Sequence, residues 1–100
     1  MKLDPAIAKK VHALGEESVA IFRDAVAAFF KKDAQASNDA IDRAQALHAK
    51  KRALVHEVMD LKGPSAVALA YILESMERTA SYGADIGEIA INHIVVASGE

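Results

Sequence analysis

The densest chemistry in this chain lies in six polar positions: Glu74, Glu77, Ser81, Asp85, Glu88 and Asn92. Their steps of three and four place them on one face of an α-helix, inside an arc of roughly 80°. Four of them are carboxylates, and like charges that close repel one another. Such a row is either a solvated face or the seat of something positive. Carboxylates one turn apart can share a hard or borderline cation through oxygen ligands. Glu74 and Arg78, four residues apart, favour local ion pairing instead. On the residues alone, a solvated or ion-paired face is the stronger reading and a metal site the weaker one.

The four histidines add little catalytic signal. A carboxylate-bridged di-iron bundle needs Glu three residues before an inward-facing His. The residues three before His12, His48, His56 and His93 are Lys9, Gln45, Ala53 and Ala90, which disfavours that class. His56 and Asp60, four apart, read as a surface pair. No His-x-x-x-His, Gly-rich phosphate loop or nucleophile elbow occurs. With nothing to assemble a nucleophile, a base and an oxyanion donor, the chain reads as a non-enzyme.

The acid row needs a long helix to carry it. Leu73, Met76, Ala80, Gly83, Gly87, Ala90 and Ile94 form an apolar stripe beside it at the same spacing. Gly63 suits a left-handed C-terminal cap of a preceding helix, and Pro64 can begin the next. Upstream, Asp4-Pro5 is a helix start. Ile7, Val11, Leu14, Ser18, Ile21, Ala25 and Ala28 then form a first stripe, and Lys31-Lys32 closes it with positive charge at the negative helix end. Asp33 to Asn38 reads as the turn and cap region, with Asp33, Ser37 and Asn38 competing as caps. A second stripe runs through Ala40, Ala44, Leu47, Leu54, Val58 and Leu61. Lys51 falls where that stripe expects an apolar residue, with His48 beside it. It reads as a stripe-edge side chain reaching water; the alternative is an ion pair with a carboxylate of the third helix.

No strand-like alternation appears. The fold predicted is all-α: an antiparallel up-down-up three-helix bundle spanning residues 1–100 as one domain, with helices at about 4–32, 35–62 and 64–97. Ala80, Gly83, Ala84 and Gly87 remove bulk from the third helix, so backbones can approach closely there.

Composition narrows the partners. The 100 residues carry a net charge of −2, which argues against a nucleic-acid footprint. The short clusters Lys9-Lys10, Lys31-Lys32 and Lys50-Lys51-Arg52 read as solvated faces and helix ends. There is no Cys, which excludes disulfides, thiolate metal sites and Cys nucleophiles. No secretory leader and no run of roughly 20 apolar residues is visible, so a cytoplasmic protein without a membrane span is expected.

The run Ser75-Met76-Glu77-Arg78-Thr79-Ala80-Ser81-Tyr82-Gly83-Ala84-Asp85-Ile86-Gly87-Glu88 resembles the signature helix of the PhoU family of phosphate uptake regulators. That helix typically reads Glu-Arg-Ile-Gly-Asp, a small apolar pair, then Asn-Ile-Ala-Glu. Asp33 to Ala36 followed by Asn38 to Asp42 is similar to the family's turn and second-helix opening, and Phe22 to Lys32 to the end of its first helix. Nearly the whole chain matches one three-helix repeat. The resemblance implies a non-enzymatic adaptor that couples phosphate transporters to sensor kinases and damps phosphate uptake. Family members usually carry two repeats. One repeat implies a homodimer that rebuilds the pair, or a domain of a longer regulator. Some archaeal relatives join this domain to a DNA-binding or potassium-channel regulatory domain, neither of which is visible here.

The resemblance also bears on the acid row. Several family members hold metal clusters on Glu/Asp-x-x-x-Asp motifs. Glu77 occupies the first motif position, but Ser81 stands where the second acid belongs, and a hydroxyl is a much weaker ligand. Asp85 stands one turn on, at the family's Asn position, and Asp39, with Asp42 near it, matches the second-helix acid. A divalent metal or iron at Glu77, Asp85 and Asp39 is therefore the metal reading. The competing reading of the whole chain is a plain helical interaction or oligomerisation module of a larger transport or transcription regulator. Ile86, Ile89, Ile91, Ile94, Val95 and Val96 make the end of the third helix apolar nearly all round, which predicts self-association there.

Overall fold

The computed structural model describes residues 4–60 and 64–98. Three helices account for almost all of them: α1 (Pro5–Lys31), α2 (Ala34–Met59) and α3 (Pro64–Ser98). The start of α1 is the expected one. The Asp4 carboxylate accepts from the Ala6 N–H at 2.8 Å, and Pro5 takes the first helical position. Its end is a left-handed residue, Lys32 at φ 55°, whose N–H reaches back to the α1 carbonyls. The turn is tighter than the sequence implies. Asp33 alone caps α2, accepting from the Ala36 N–H at 3.0 Å, and Asn38 lies inside the helix. Ser37 also lies inside, buried, with its hydroxyl donating to the Asp33 carbonyl at 2.9 Å. Pro64 opens α3. Leu61, Lys62 and the Gly63 cap lie outside the described residues.

The short α1–α2 connection makes those helices antiparallel, and α3 returns parallel to α1. The product is a rod of 57 × 16 × 16 Å in which every helix packs on the other two. The predicted stripes meet along its axis. Leu14, Ile21 and Ala25 of α1, Leu47, Leu54 and Val58 of α2, and Leu69, Leu73 and Ala80 of α3 are buried together. Each buried Leu, Ile or Val contributes roughly 1.5–3 kcal/mol relative to exposure.

α3 is unbroken through Gly83 and Gly87. A Cβ on Gly83 would sit 3.2 Å from the Phe22 backbone, and one on Gly87 would sit 2.9 Å from the Ser37 carbonyl oxygen. These two glycines set the register. Gly83 fixes α3 against the middle of α1, and Gly87 fixes it against the opening turns of α2. Everything α2 and α3 present to each other follows from that alignment.

Candidate functional site

The acid row lies along α3 on the side of α2, as its spacing requires. Glu74, Ser81, Asp85, Glu88 and Asn92 are exposed, whereas Glu77 is largely covered. The register brings Lys51 and His48 of α2 onto this row. The Lys51 ammonium donates to Glu74 Oε2 at 2.9 Å and to Glu77 Oε1 at 3.5 Å. Lys51 and Glu77 keep only 16% and 15% of their side-chain exposure, so this pair is shielded from water at the α2–α3 seam. Lys51 does not reach into solvent as the stripe-edge reading has it; the ion pair with α3 is what forms. Glu74 takes Lys51 rather than its i+4 neighbour Arg78, which instead donates to the Ser75 hydroxyl at 3.1 Å.

His48 completes the arrangement. Its Nε2 accepts from the Arg52 guanidinium at 2.8 Å. Arg has no acceptor, so the ring proton sits on Nδ1 and is donated to Glu77 Oε2. Both oxygens of Glu77 are thus engaged, one by an ammonium and one by an imidazole. The electrostatics agree with the geometry. The hydrogen bond from Lys51 holds the Glu74 carboxyl below its ordinary range. The hydrogen bond to Glu74, with the charge of Glu77 behind it, holds Lys51 above its own.

Glu77, Asp85 and Asp39 are not gathered into one set. Asp85 is eight residues beyond Glu77, about 12 Å along the helix at 1.5 Å per residue. Asp39 is exposed on α2 and accepts from Gln35 Nε2 at 3.0 Å. Ser81 is an exposed hydroxyl. Among the described residues, no group of three His, Asp or Glu side chains is arranged to hold a metal ion. A hard cation requires several oxygens converging on one point. As they stand, Glu77, Asp85 and Asp39 do not converge on one point, and the cation that the described residues place on the row is Lys51.

A second polar cluster carried no sequence signal of its own. Arg43 of α2 reaches across to α1, where Nη2 donates to Glu17 Oε1 and Nη1 to Asp24 Oδ2, both at 2.8 Å. Glu17 and Asp24 are seven apart on α1, one face two turns long, and one guanidinium fork bridges them. Its hydrogen bonds hold both carboxyls below their ordinary range. Among the described residues, His56 and Asp60 make no contact of this kind.

The α1–α3 side of the rod is of opposite character. Val19, Phe22 and Phe30 of α1 and Tyr71, Tyr82 and Ile89 of α3 are exposed along it, with Phe30 at 78%. Val26, Phe29, Phe30, Ile86 and Ile89 line an open groove of about 330 Å³ between the two helices. So ion pairs close the α2–α3 and α1–α2 seams, and the α1–α3 side is open and apolar. Ile91 and Ile94, by contrast, are half-covered.

This three-helix chain, with its Glu77-Arg78 turn on the third helix, agrees with a family model: the PhoU domain matches residues 11–90. The chain belongs to the PhoU family. No curated protein and no solved structure matches it. PhoU is a regulatory, non-enzymatic family. No helix among the described residues is long and apolar enough to cross a membrane.

Proposed function

We propose that this PhoU domain is a cytoplasmic regulatory adaptor of phosphate uptake or phosphate signalling that works by docking other protein surfaces. The observation that carries the reading is the open apolar α1–α3 side, with aromatic and branched side chains presented in line along a rigid rod. Monomeric soluble proteins rarely leave contiguous apolar patches of this kind without a partner. The family match supports the phosphate context. The phosphate transporter and its sensor kinase are the partner class that context suggests.

The Lys51–Glu74–Glu77–His48 seam stabilises the rod in this reading and requires no metal. Elemental analysis of protein purified without chelator, beside Glu77→Ala, tests that clause. About one equivalent of divalent metal or iron in the parent chain, lost in the variant, overturns it.

The adaptor reading itself is tested in cells. Phosphate uptake is measured in phosphate-replete medium after deletion of the gene, then after complementation with the parent chain or with Phe30→Glu. Loss of uptake control, restored by the parent and not by Phe30→Glu, is the expected result. Unchanged uptake on deletion removes the phosphate role and leaves the general helical interaction module, whose docking would use the same side of the rod.

A further inference from the structure

We infer that the cavity between α1 and α2 holds a small monoanion with an apolar body, its anionic head on Lys50. The site is on a different side of the rod from the apolar α1–α3 surface, and the inference does not depend on what docks there.

The pattern Lys-x-x-Ala-Leu-x-x-Glu occurs twice in the chain, at residues 10–17 and 50–57. Steps of three and four put its members on one face of a helix, two turns long. The first copy falls on α1 and the second on α2, and together they line a cavity of about 330 Å³ between the ion pairs that close this seam. Because the two helices are antiparallel, the copies are related by a local twofold axis. Each Leu is then level with the Ala of the other helix. Leu14 and Leu54 are buried and make an apolar floor, whereas Ala13 and Ala53 are too short to fill the space above it.

The same register sets Lys10 opposite Glu57, Lys50 opposite Glu17 and, one step further along, Arg43 opposite Asp24. The first pair forms: the Lys10 ammonium donates to Glu57 at 2.7 Å and closes one end of the cavity. The symmetry fails at the other end. Arg43 pairs with Asp24 and, with the second arm of its fork, takes Glu17 as well, both at 2.8 Å. Lys50 is left exposed on the rim, and among the described residues it makes no ion pair.

That corner defines the ligand. One uncommitted ammonium is a compact point charge that takes one anionic head. Both rim carboxylates are already neutralised, so a cationic head finds no partner, and Lys10 is not available to a second anionic group. The leucine floor favours a hydrocarbon body, through the apolar surface it removes from water. The volume lies at the lower end of the roughly 300–1,000 Å³ of small-molecule sites. At about 30 Å³ per water it equals about eleven waters, which suits an acid of about ten non-hydrogen atoms. Octanoate has this size, one carboxylate and no other polar group.

Calorimetric titration of the full chain with sodium octanoate tests the proposal, with alanine-methyl NMR to locate the ligand and circular dichroism to confirm that each variant is helical. Saturable one-site binding with a Kd of about 0.1–1 mM is expected, with the largest shifts at Ala13 and Ala53. Octylamine keeps the body and reverses the head, and acetate keeps the head without the body; each should bind at least about tenfold more weakly. Lys50→Glu should lose about tenfold or more. Arg43→Ala separates this site from a merely greasy surface, because Arg43 does not line the cavity. Its removal frees Glu17 to take Lys50, and octanoate affinity should fall by about fivefold or more. Adding Glu17→Gln releases Lys50 again and should restore the parent affinity to within about threefold. Absence of saturable binding, equal affinity for octylamine, or an Arg43→Ala chain that binds as the parent does each overturns the proposal. Shifts centred on Ile86 and Ile89, with binding lost in Phe30→Glu and kept in Lys50→Glu, also overturn it, since they put the acid on the α1–α3 side instead.

Discussion

Replacing Gly87 by Ala tests the register on which the site depends. In an ordinary helix interior the change is favourable by about 0.8–1 kcal/mol, because Gly loses more backbone freedom on folding than Ala. Here the new Cβ would lie 2.9 Å from the Ser37 carbonyl oxygen and 3.1 Å from Ile41 Cγ1. The oxygen belongs to the α2 backbone and cannot swing aside, so the helices must part, at about 1–3 kcal/mol for such overpacking. The net expectation is a loss of about 1 kcal/mol. Gly15 is the internal control. Its added Cβ also meets an atom at 2.9 Å, but that atom is Met76 Cε, the far end of a flexible side chain. Gly15→Ala therefore keeps most of the propensity gain. The two variants should differ by about 2 kcal/mol, or roughly 8–16 °C in melting temperature for a domain of this size.

Thermal unfolding followed by circular dichroism measures the difference. All chains are compared at one protein concentration, because association of any kind couples to an unfolding transition. Gly83→Ala falls on the destabilised side for the same reason as Gly87→Ala, its neighbours being Ile21 Cγ2 at 3.0 Å and the Phe22 backbone at 3.2 Å. If Gly87→Ala melts at or above Gly15→Ala, the backbones of α2 and α3 are not in close approach. The alignment that brings Lys51 to Glu77 would then lose its cause.

Three further expectations follow from the two polar clusters. Lys51→Met leaves the covered Glu77 without its cation and should destabilise by about 1–3 kcal/mol; adding Glu77→Gln should recover part of that loss, and strict additivity in a urea-unfolding cycle would show the pair is not coupled. Arg43→Ala should lower stability by about 1 kcal/mol, a value kept small because the side chains of Arg43 and Glu17 remain about one-third exposed. Arg43→Lys should recover less than half of it, since a single ammonium cannot fork between Glu17 and Asp24; full recovery would refute the bridging role. Glu17, Asp24 and Glu74 all have carboxyls held below their ordinary range, so their stabilisation is present above about pH 4.5 and is lost as pH falls through the folded-state values. Lys51 has the opposite sign: its contribution is complete below about pH 10.5 and declines above it. Urea midpoints measured against pH should be flat near neutrality and fall at both ends, with a shallower acid limb in Arg43→Ala.

What the residues disclose unaided, and what they do not, divides along a physical line. The first helix start, the stripes and the bundle class are legible because they depend on neighbours within a few positions: Asp4 before Pro5, an apolar residue every third or fourth step. The acid row is legible for the same reason, as a row. Its meaning is not, because Lys51 on the edge of its own helix has the same local signature whether it faces water or a carboxylate. That choice is made by the alignment of α2 on α3, which is fixed by bulk missing at Gly87, far along the sequence from Lys51. The small residues were visible as a stripe, but no spacing rule converts them into an offset between two helices. Arg43 is a harder case. It lies between Ala40 and Leu47 and reads as an ordinary flank residue, and the only trace of its role is on another helix, in the seven-residue interval between Glu17 and Asp24. Periodicity thus identifies which faces exist, and close packing decides which faces meet. The question left by the acid row, a foreign cation or an internal one, belongs to the second kind. At Glu74 and Glu77 close packing supplies a cation from within the chain, the lysine that the close approach at Gly87 aligns with the row.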